Sequence, residues 1–240
     1  MSEGWFVFCV SKNRVCSLLR RGDECVRTWL PGKQNDARCT HMRGFDYQRL
    51  VIGYHGCDAA VRDQVIQKGA QLKAFPKTYD WLGEGIYFWE HGPARALEWA
   101  QQQKVRGRLK TPAVLGAVLH LGQCFDLLDA EYTDVLAEAY PQFKQEVLEF
   151  WGDPLPKNRP LHANDDDILL RDLDCAVVNW TIEELQRKGT PFHSVRGVFQ
   201  EGKAAFPDSG IRLRSHIQIA VRDPACVLGY FLPSSERHDA

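Results

Sequence analysis

Among the eight histidines of the chain, His55 stands apart by its neighbours. It follows the β-branched, apolar run Leu50-Val-Ile-Gly-Tyr54 and precedes Gly56. That order places its ring at the end of a buried strand, where a glycine leaves main-chain N–H and C=O groups open to a ligand. His41, His91, His120, His162 and His238 lie in loop, tail or apolar-strand contexts with no comparable arrangement. Downstream, Leu82-Gly-Glu-Gly-Ile-Tyr-Phe88 is a second glycine-flanked strand and bears Tyr87. Late in the chain, His216 and Gln218 share one face of a strand, two residues apart. Together these residues offer ring stacking and neutral hydrogen bonding, the means to hold a flat, polar ligand.

Such residues need elements to position them. Leu50–His55 reads as a strand, and Asp58 as the N-cap of a helix with Val61, Val65 and Ile66 on one face and Gly69 at its end. Gly85–Trp89 is the second strand. Pro93 suits the first turn of a helix that turns Leu97, Ala100 and Trp99 inward. Ala113–Leu121 and Cys124–Leu128 are strands divided by Gly122. Helical spacing runs from Ala130 to Trp151 through Val135, Leu136, Phe143, Val147 and Leu148, with Pro141 expected to kink or split it. After Pro154, Pro156 and Pro160, Asn164 is expected to cap a helix carrying Leu169, Leu173 and Val177 on one side. Thr181-Ile-Glu-Glu184 has the capping-box form that would start another short helix. Strands return at 194–200, 217–221 and 227–231. The pattern predicts a mixed α/β (α+β) fold with strands at both ends and helices between, without internal repeats.

The 240 residues carry 30 Lys+Arg and 31 Asp+Glu, a net charge of −1, which excludes a globally basic nucleic-acid coat. With 44% apolar residues the chain can bury a sizeable core. No apolar run approaches the roughly 20 residues of a membrane helix, and Trp5–Val10 lacks the flanks of a signal peptide. A soluble, cytoplasmic protein with no membrane partner is expected. The eight cysteines follow no trusted metal-ligand spacing, so reduced thiols and no metal are expected. Residues 1–41 hold half of those cysteines and are punctuated by Gly22, Pro31-Gly32 and Asn35-Asp36. They read as a weakly ordered N-terminal extension, with the folded body at 42–240. Lys104, Arg106, Arg108 and Lys110 form a basic cluster without interleaved aromatics, read as solvated loop charges.

The His55-Gly56 strand, the short helix ending in glycine, and Gly83-Glu-Gly-Ile-Tyr-Phe88 resemble, in this order, the NAD-binding signature of the ADP-ribosyltransferase superfamily. The likeness is to its poly-ADP-ribose-polymerase and diphtheria-toxin-like branch. It covers residues 49–105 and 192–232 and leaves the middle helices without a motif. The resemblance implies a split mixed β-sheet with flanking helices and a helical insertion, with 42–240 as the catalytic domain. It also implies NAD+ as co-substrate and no metal. His55 would bond the adenosine-ribose hydroxyl, and the Gly56 main chain would hold the nicotinamide carboxamide. Gly85 belongs to the same cofactor-binding signature, and Tyr87 would stack on the nicotinamide. Cleaving the nicotinamide–ribose bond passes through an oxocarbenium-like state, so the site must bend the dinucleotide and counter positive charge on the ribose.

The family's third catalytic element is a glutamate on a late strand, and here Gln218 stands at that position. An amide supplies a donor and an acceptor but no charge. The loss of a charge-assisted hydrogen bond weakens such a site by about 1.5–3 kcal/mol, which argues against polymer elongation and leaves mono-transfer. In the family, the loop at 200–210 contacts the acceptor. Glu201 is the one nearby carboxylate that would stand in as a base, with His216 at the rim and Lys203, Arg212 and Arg214 solvated. The expectation is an NAD-dependent mono-ADP-ribosyltransferase with a macromolecular acceptor, protein or nucleic acid. A bacterial toxin or phage-defence effector is the analogous setting, one in which an inhibitory partner would fit. Two alternatives stay open: a non-catalytic NAD or ADP-ribose-binding module, and an NAD glycohydrolase.

Overall fold

The computed structural model of the protein describes residues 7–11, 14–18, 49–151, 154–161, 163, 165 and 167–234. The chain divides into two units, Met1–Arg43 and Gly44–Ala240. In the first, strands β1 (Val7–Ser11) and β2 (Arg14–Leu18) pair antiparallel. The rest of the expected extension lies outside the described residues, as do His41, His162, Asn164 and His238.

The second unit begins with β3 (Leu50–Asp58), which runs three residues past His55. Asp58 closes the strand and caps α1 (Ala59–Lys68), accepting the Ala60 N–H at 3.1 Å. Its other oxygen accepts the Lys110 and Thr111 N–H groups at 2.7 and 3.1 Å. The bonds from Thr111, Lys110 and Ala60 hold the carboxyl below its ordinary pKa. Gly69 ends α1 in the left-handed conformation, φ 66°, as its position predicts. There follow β4 (Ile86–Glu90), α2 (Pro93–Val105), β5 (Pro112–His120) and β6 (Cys124–Asp126). Then come α3 (Ala130–Glu146), a π-helical turn at Val147–Trp151, β7 (Asn158–Arg159) and β8 (Leu170–Arg171). The chain continues with α4 (Asp172–Arg187), β9 (Ser194–Phe199), β10 (His216–Val221) and β11 (Val227–Phe231).

Seven strands form one sheet in the order β11-β5-β3-β4-β10-β9-β6, antiparallel except where β6 meets β9. The pleat sends Val51, Phe88, Leu115, Leu119 and Ile219 to one face, against Val65 and Ile66 of α1. On the other face α2 covers Tyr54, Trp89 and Val114, while Tyr132 of α3 and Val178 and Ile182 of α4 cover Phe125, Val195 and Ala220. The opposite face therefore has two helical covers with the β4–β10 seam between them. Beneath it a buried ion triad links three strands: the Arg196 guanidinium bonds Glu90 at 2.6 and 3.1 Å and Asp126 at 3.0 Å. Burial opposes that charge, but the two carboxylates outweigh it and the Arg196 pKa is raised.

Three helical expectations need correction. Of the kink or split expected at Pro141, the split does not occur: α3 runs through it to Glu146. Pro141 and Ala137, whose carbonyl loses its helical partner, are both exposed, so the lost bond lies on the solvent side of the helix. The helix expected after Asn164 starts only at Asp172, and no local side chain caps it. Asn158 of β7 caps it instead, its Oδ1 accepting the Leu173 and Asp174 N–H groups at 2.9 and 3.3 Å. Thr181 starts no new helix: it lies inside α4, buried on the same face as Val178 and Ile182. Cys57, Cys124, Cys175 and Cys226 are all buried. Among the described residues no helix is long and apolar enough to cross a membrane.

Candidate active site

The β3–β4 ladder is short. It pairs Gly53 with Glu90 and Tyr54 with Trp89 and then stops, while β3 stays paired with β5 to Asp58 and β4 stays paired with β10 down to Ile86. The two strands therefore part at His55. Contrary to the sequence expectation, His55 is interior to β3; the sheet opens beside it rather than the strand ending. Main-chain groups alternate sides along a strand. Since the Ile52 carbonyl accepts His91 N–H on the β4 side, the N–H and C=O of Gly56, four residues on, also face β4. They face it beyond the last ladder pair.

His55 crosses this opening. Its Nδ1 lies 2.8 Å from the Tyr87 carbonyl, and its ring contacts Phe88 at 5.7 Å. A carbonyl only accepts, so Nδ1 carries the proton and donates it. Burial lowers the His55 pKa more than the Tyr87 bond raises it, so the ring is neutral and Nε2 is a lone-pair acceptor. Gly56 is required from the other side. A Cβ there would lie 2.4 Å from the Ala96 carbonyl of α2 and 3.1 Å from Trp99. The glycine thus lets α2 lie against β3. Gly85, expected in the cofactor site, likewise lets β4 approach β10, since a Cβ would come 2.9 Å from the Val221 carbonyl.

Tyr87 projects from the face opposite His55, and its hydroxyl pins the preceding loop. It donates to the Gly83 carbonyl and accepts the Leu82 N–H, each at 2.9 Å. Burial, and then the charge of Asp80, push the phenol well above its ordinary pKa, so the hydroxyl stays protonated and serves as a clamp. Gly83 turns this loop at φ 77°, with Asn179 so close that a Cβ would lie 2.4 Å from its Oδ1. Tyr87→Phe is expected to lose both hydrogen bonds, about 1–2 kcal/mol and a few degrees of Tm, readable by thermal unfolding. An unchanged Tm would mean that the loop is held elsewhere.

Gln218 is half-buried on the Tyr87 side of the sheet, opposite Trp89 on β4 and Gly197 on β9. The pinned loop brings Trp81 over Gly197, where a Cβ would lie 2.6 Å from the indole. From there Trp81 Nε1–H donates to Gln218 Oε1 at 2.6 Å. An indole nitrogen only donates, so the amide orientation is fixed and Gln218 presents its NH2 to the site. The structure thus brings Tyr87 and Gln218 to one face of adjacent strands, whereas His55 lies on the other face and meets Tyr87 only at its carbonyl, in the β3–β4 opening.

Beyond Gln218 runs an aromatic row that no sequence motif signalled. Trp99, Trp89, His216, Phe199 and Trp81 follow one another at centroid distances of 5.7, 6.2, 5.6 and 5.2 Å. Arg171 lies over Phe199 at 5.1 Å. His216 donates from Nδ1 to the Arg214 carbonyl at 2.6 Å, and burial lowers its pKa to about 4. The unfolded chain, titrating near 6.5, takes up that proton first. His216 therefore adds stability above about pH 6.5 that disappears as pH falls towards 4, in the same direction as the contribution of His55. Thermal unfolding should show Tm falling across this window, less steeply in His216→Asn. Equal slopes in the two proteins would contradict this assignment.

Glu201 is not a free base. It forms an ion pair with Arg95, which also bonds Glu98 at 3.0 Å. Nor are Arg212 and Arg214 simply solvated: Arg212 reaches the Gly202 carbonyl at 3.2 Å and Arg214 reaches Glu98 at 2.8 Å. The cluster from Lys104 to Lys110 is exposed at its charged residues, as expected. Among the described residues no group of three or more His, Cys, Asp or Glu is placed to hold a metal ion. No protein-family model matches the chain and no curated protein matches it, so the likeness to ADP-ribosyltransferases rests on its own residues at 49–105 and 192–232.

Proposed function

We propose that this chain is an NAD-dependent mono-ADP-ribosyltransferase of the split-sheet type, with the middle helices as its insertion. One observation carries the reading: β3 and β4 part where His55, Gly56 and Tyr87 meet. The Gly56 N–H and C=O match the carbonyl and amine of a carboxamide. The neutral His55 Nε2 accepts from a ribose hydroxyl, and the half-buried Tyr87 is the aromatic ring on the other side of the same opening. In the reaction the nicotinamide–ribose C–N bond breaks, nicotinamide leaves neutral with both electrons, and the acceptor bonds C1′ of the ribose and gives up its proton to solvent. The protein works in the cytoplasm on a protein or nucleic acid, and a toxin or phage-defence setting is the analogy. A test is transfer of adenine-labelled ADP-ribose from NAD to macromolecules of a cell extract. Label that is retained and then released by protease or by nuclease supports the reading and identifies the acceptor class.

A second reading has its own support. With Oε1 engaged by Trp81, Gln218 turns donors, not an anion, towards the site. That arrangement opposes positive charge poorly and suits a module that binds NAD or ADP-ribose without cleaving it. NAD bound, with neither transfer nor nicotinamide release, would favour this second reading.

A further inference from the structure

Three of the five buried side-chain polar atoms without a partner among the described residues belong to one neighbourhood: Trp89 Nε1, Arg95 Nε and His216 Nε2. Trp89 is 4% exposed. Its ring contacts those of His216 and Trp99, and Trp99 lies one turn along α2 from Arg95. A buried polar atom is normally satisfied, so a cluster of orphans marks a place where bonds remain to be made. Two of the atoms are donors. The third, on a ring whose Nδ1–H is already given to Arg214, is an acceptor.

Glu201 sits at the same place. Its carboxylate pairs with Arg95 Nη2, both side chains nearly buried at 11% and 13% exposure. Nε and Nη2 form one edge of the guanidinium fork, which suits two oxygens of one oxyanion. Glu201 occupies Nη2 and leaves Nε empty. The loop behind it is tied to α2 at its far end too, because Glu98 holds both Arg95 and Arg214. The Glu201 carbonyl accepts the Arg214 N–H at 2.9 Å.

We infer that Glu201 is a built-in plug of a ribose-phosphate site formed by Arg95, Trp89 and His216. An arriving phosphate displaces the carboxylate and fills both Nε and Nη2 of Arg95. A further phosphate oxygen accepts the Trp89 N–H, and a sugar hydroxyl donates to His216 Nε2. No covalent bond changes. The inference rests on the reading of the β3–β4 opening as a nucleotide site, since Arg95 precedes the Ala96 carbonyl that touches Gly56. It adds a ligand group and an internal competitor for it. The same chemistry is found in free NAD and in a ribonucleic acid strand.

Calorimetric titration of the full chain with ribose 5-phosphate, NAD and a single-stranded oligoribonucleotide tests the inference. Thermal unfolding alongside identifies the variants that remain folded. Glu201→Gln is expected to bind ribose 5-phosphate at least about tenfold more tightly than wild type, because the competing charge is gone. Adding Arg95→Lys, which keeps the charge and loses the fork, should cancel most of that gain, as should adding Trp89→Phe. A matching gain for NAD assigns the site to the co-substrate; a gain for the oligoribonucleotide alone assigns it to an RNA acceptor. If Glu201→Gln and Glu201→Ser, both folded, bind ribose 5-phosphate no more tightly than wild type, the plug is wrong. A gain in affinity with no nicotinamide release in any variant would keep the plug and remove the transferase.

Discussion

Gln218→Glu is expected to raise nicotinamide release from NAD by about 10- to 100-fold. The argument starts from the 2.6 Å bond between Trp81 Nε1–H and Gln218 Oε1. A carboxylate keeps an oxygen for Trp81, so the loop need not move. Its second oxygen replaces the NH2 group, turning a neutral donor into an anionic acceptor at the seam that carries Tyr87. A charge-assisted hydrogen bond contributes about 1.5–3 kcal/mol, and one decade of rate corresponds to about 1.4 kcal/mol. The gain should appear in kcat rather than KM, because positive charge on the ribose develops only in the transition state. Release that is unchanged or lower in a folded Gln218→Glu protein would remove Gln218 from the reacting centre. Trp81→Phe separates positioning from charge: it should reduce the gain of Gln218→Glu while leaving that carboxylate in place.

The largest effect on stability is expected at Arg196. Its guanidinium pairs with both Glu90 and Asp126, and the three side chains are 5%, 7% and 4% exposed. Arg196→Met strands two carboxylates in the sheet, and removing one partner of a buried ionic group costs about 3–5 kcal/mol. For a domain of this size that corresponds to a fall in Tm of roughly 10 °C. Restoring neutrality with Glu90→Gln and Asp126→Asn in the same chain should recover much of the loss, because the penalty is uncompensated charge rather than lost packing. A single Arg196→Met with wild-type Tm would show that the triad is not needed to hold this end of the sheet, β4 to β6, together.

The strands that bear His55 and Tyr87 were legible because β-branched and aromatic runs, bounded by glycines, declare themselves locally. Asp58 and Gly69 were legible for the same reason: each satisfies helix-end groups next to it in sequence. What escaped depends on residues far apart. α4 starts at Asp172 because Asn158 caps it across a gap, so the local candidates at 164 and 181 misled. Glu201 looked like a free carboxylate until α2 brought Arg95 to it. Trp81 lay beside the Gly-x-Gly motif, yet only the register of β10 against β4 and β9 reveals Gln218 as its partner. The opening of the sheet at His55 was invisible as well, since a ladder that stops after two pairs leaves no periodicity in either strand.

The most direct measurement is nicotinamide release from NAD by the purified protein, compared with His55→Ala and checked by thermal unfolding. The wild-type protein should release nicotinamide, faster in the presence of its acceptor, and folded His55→Ala should lose at least about 100-fold. Wild-type release that folded His55→Ala retains in full would contradict the site at the β3–β4 opening.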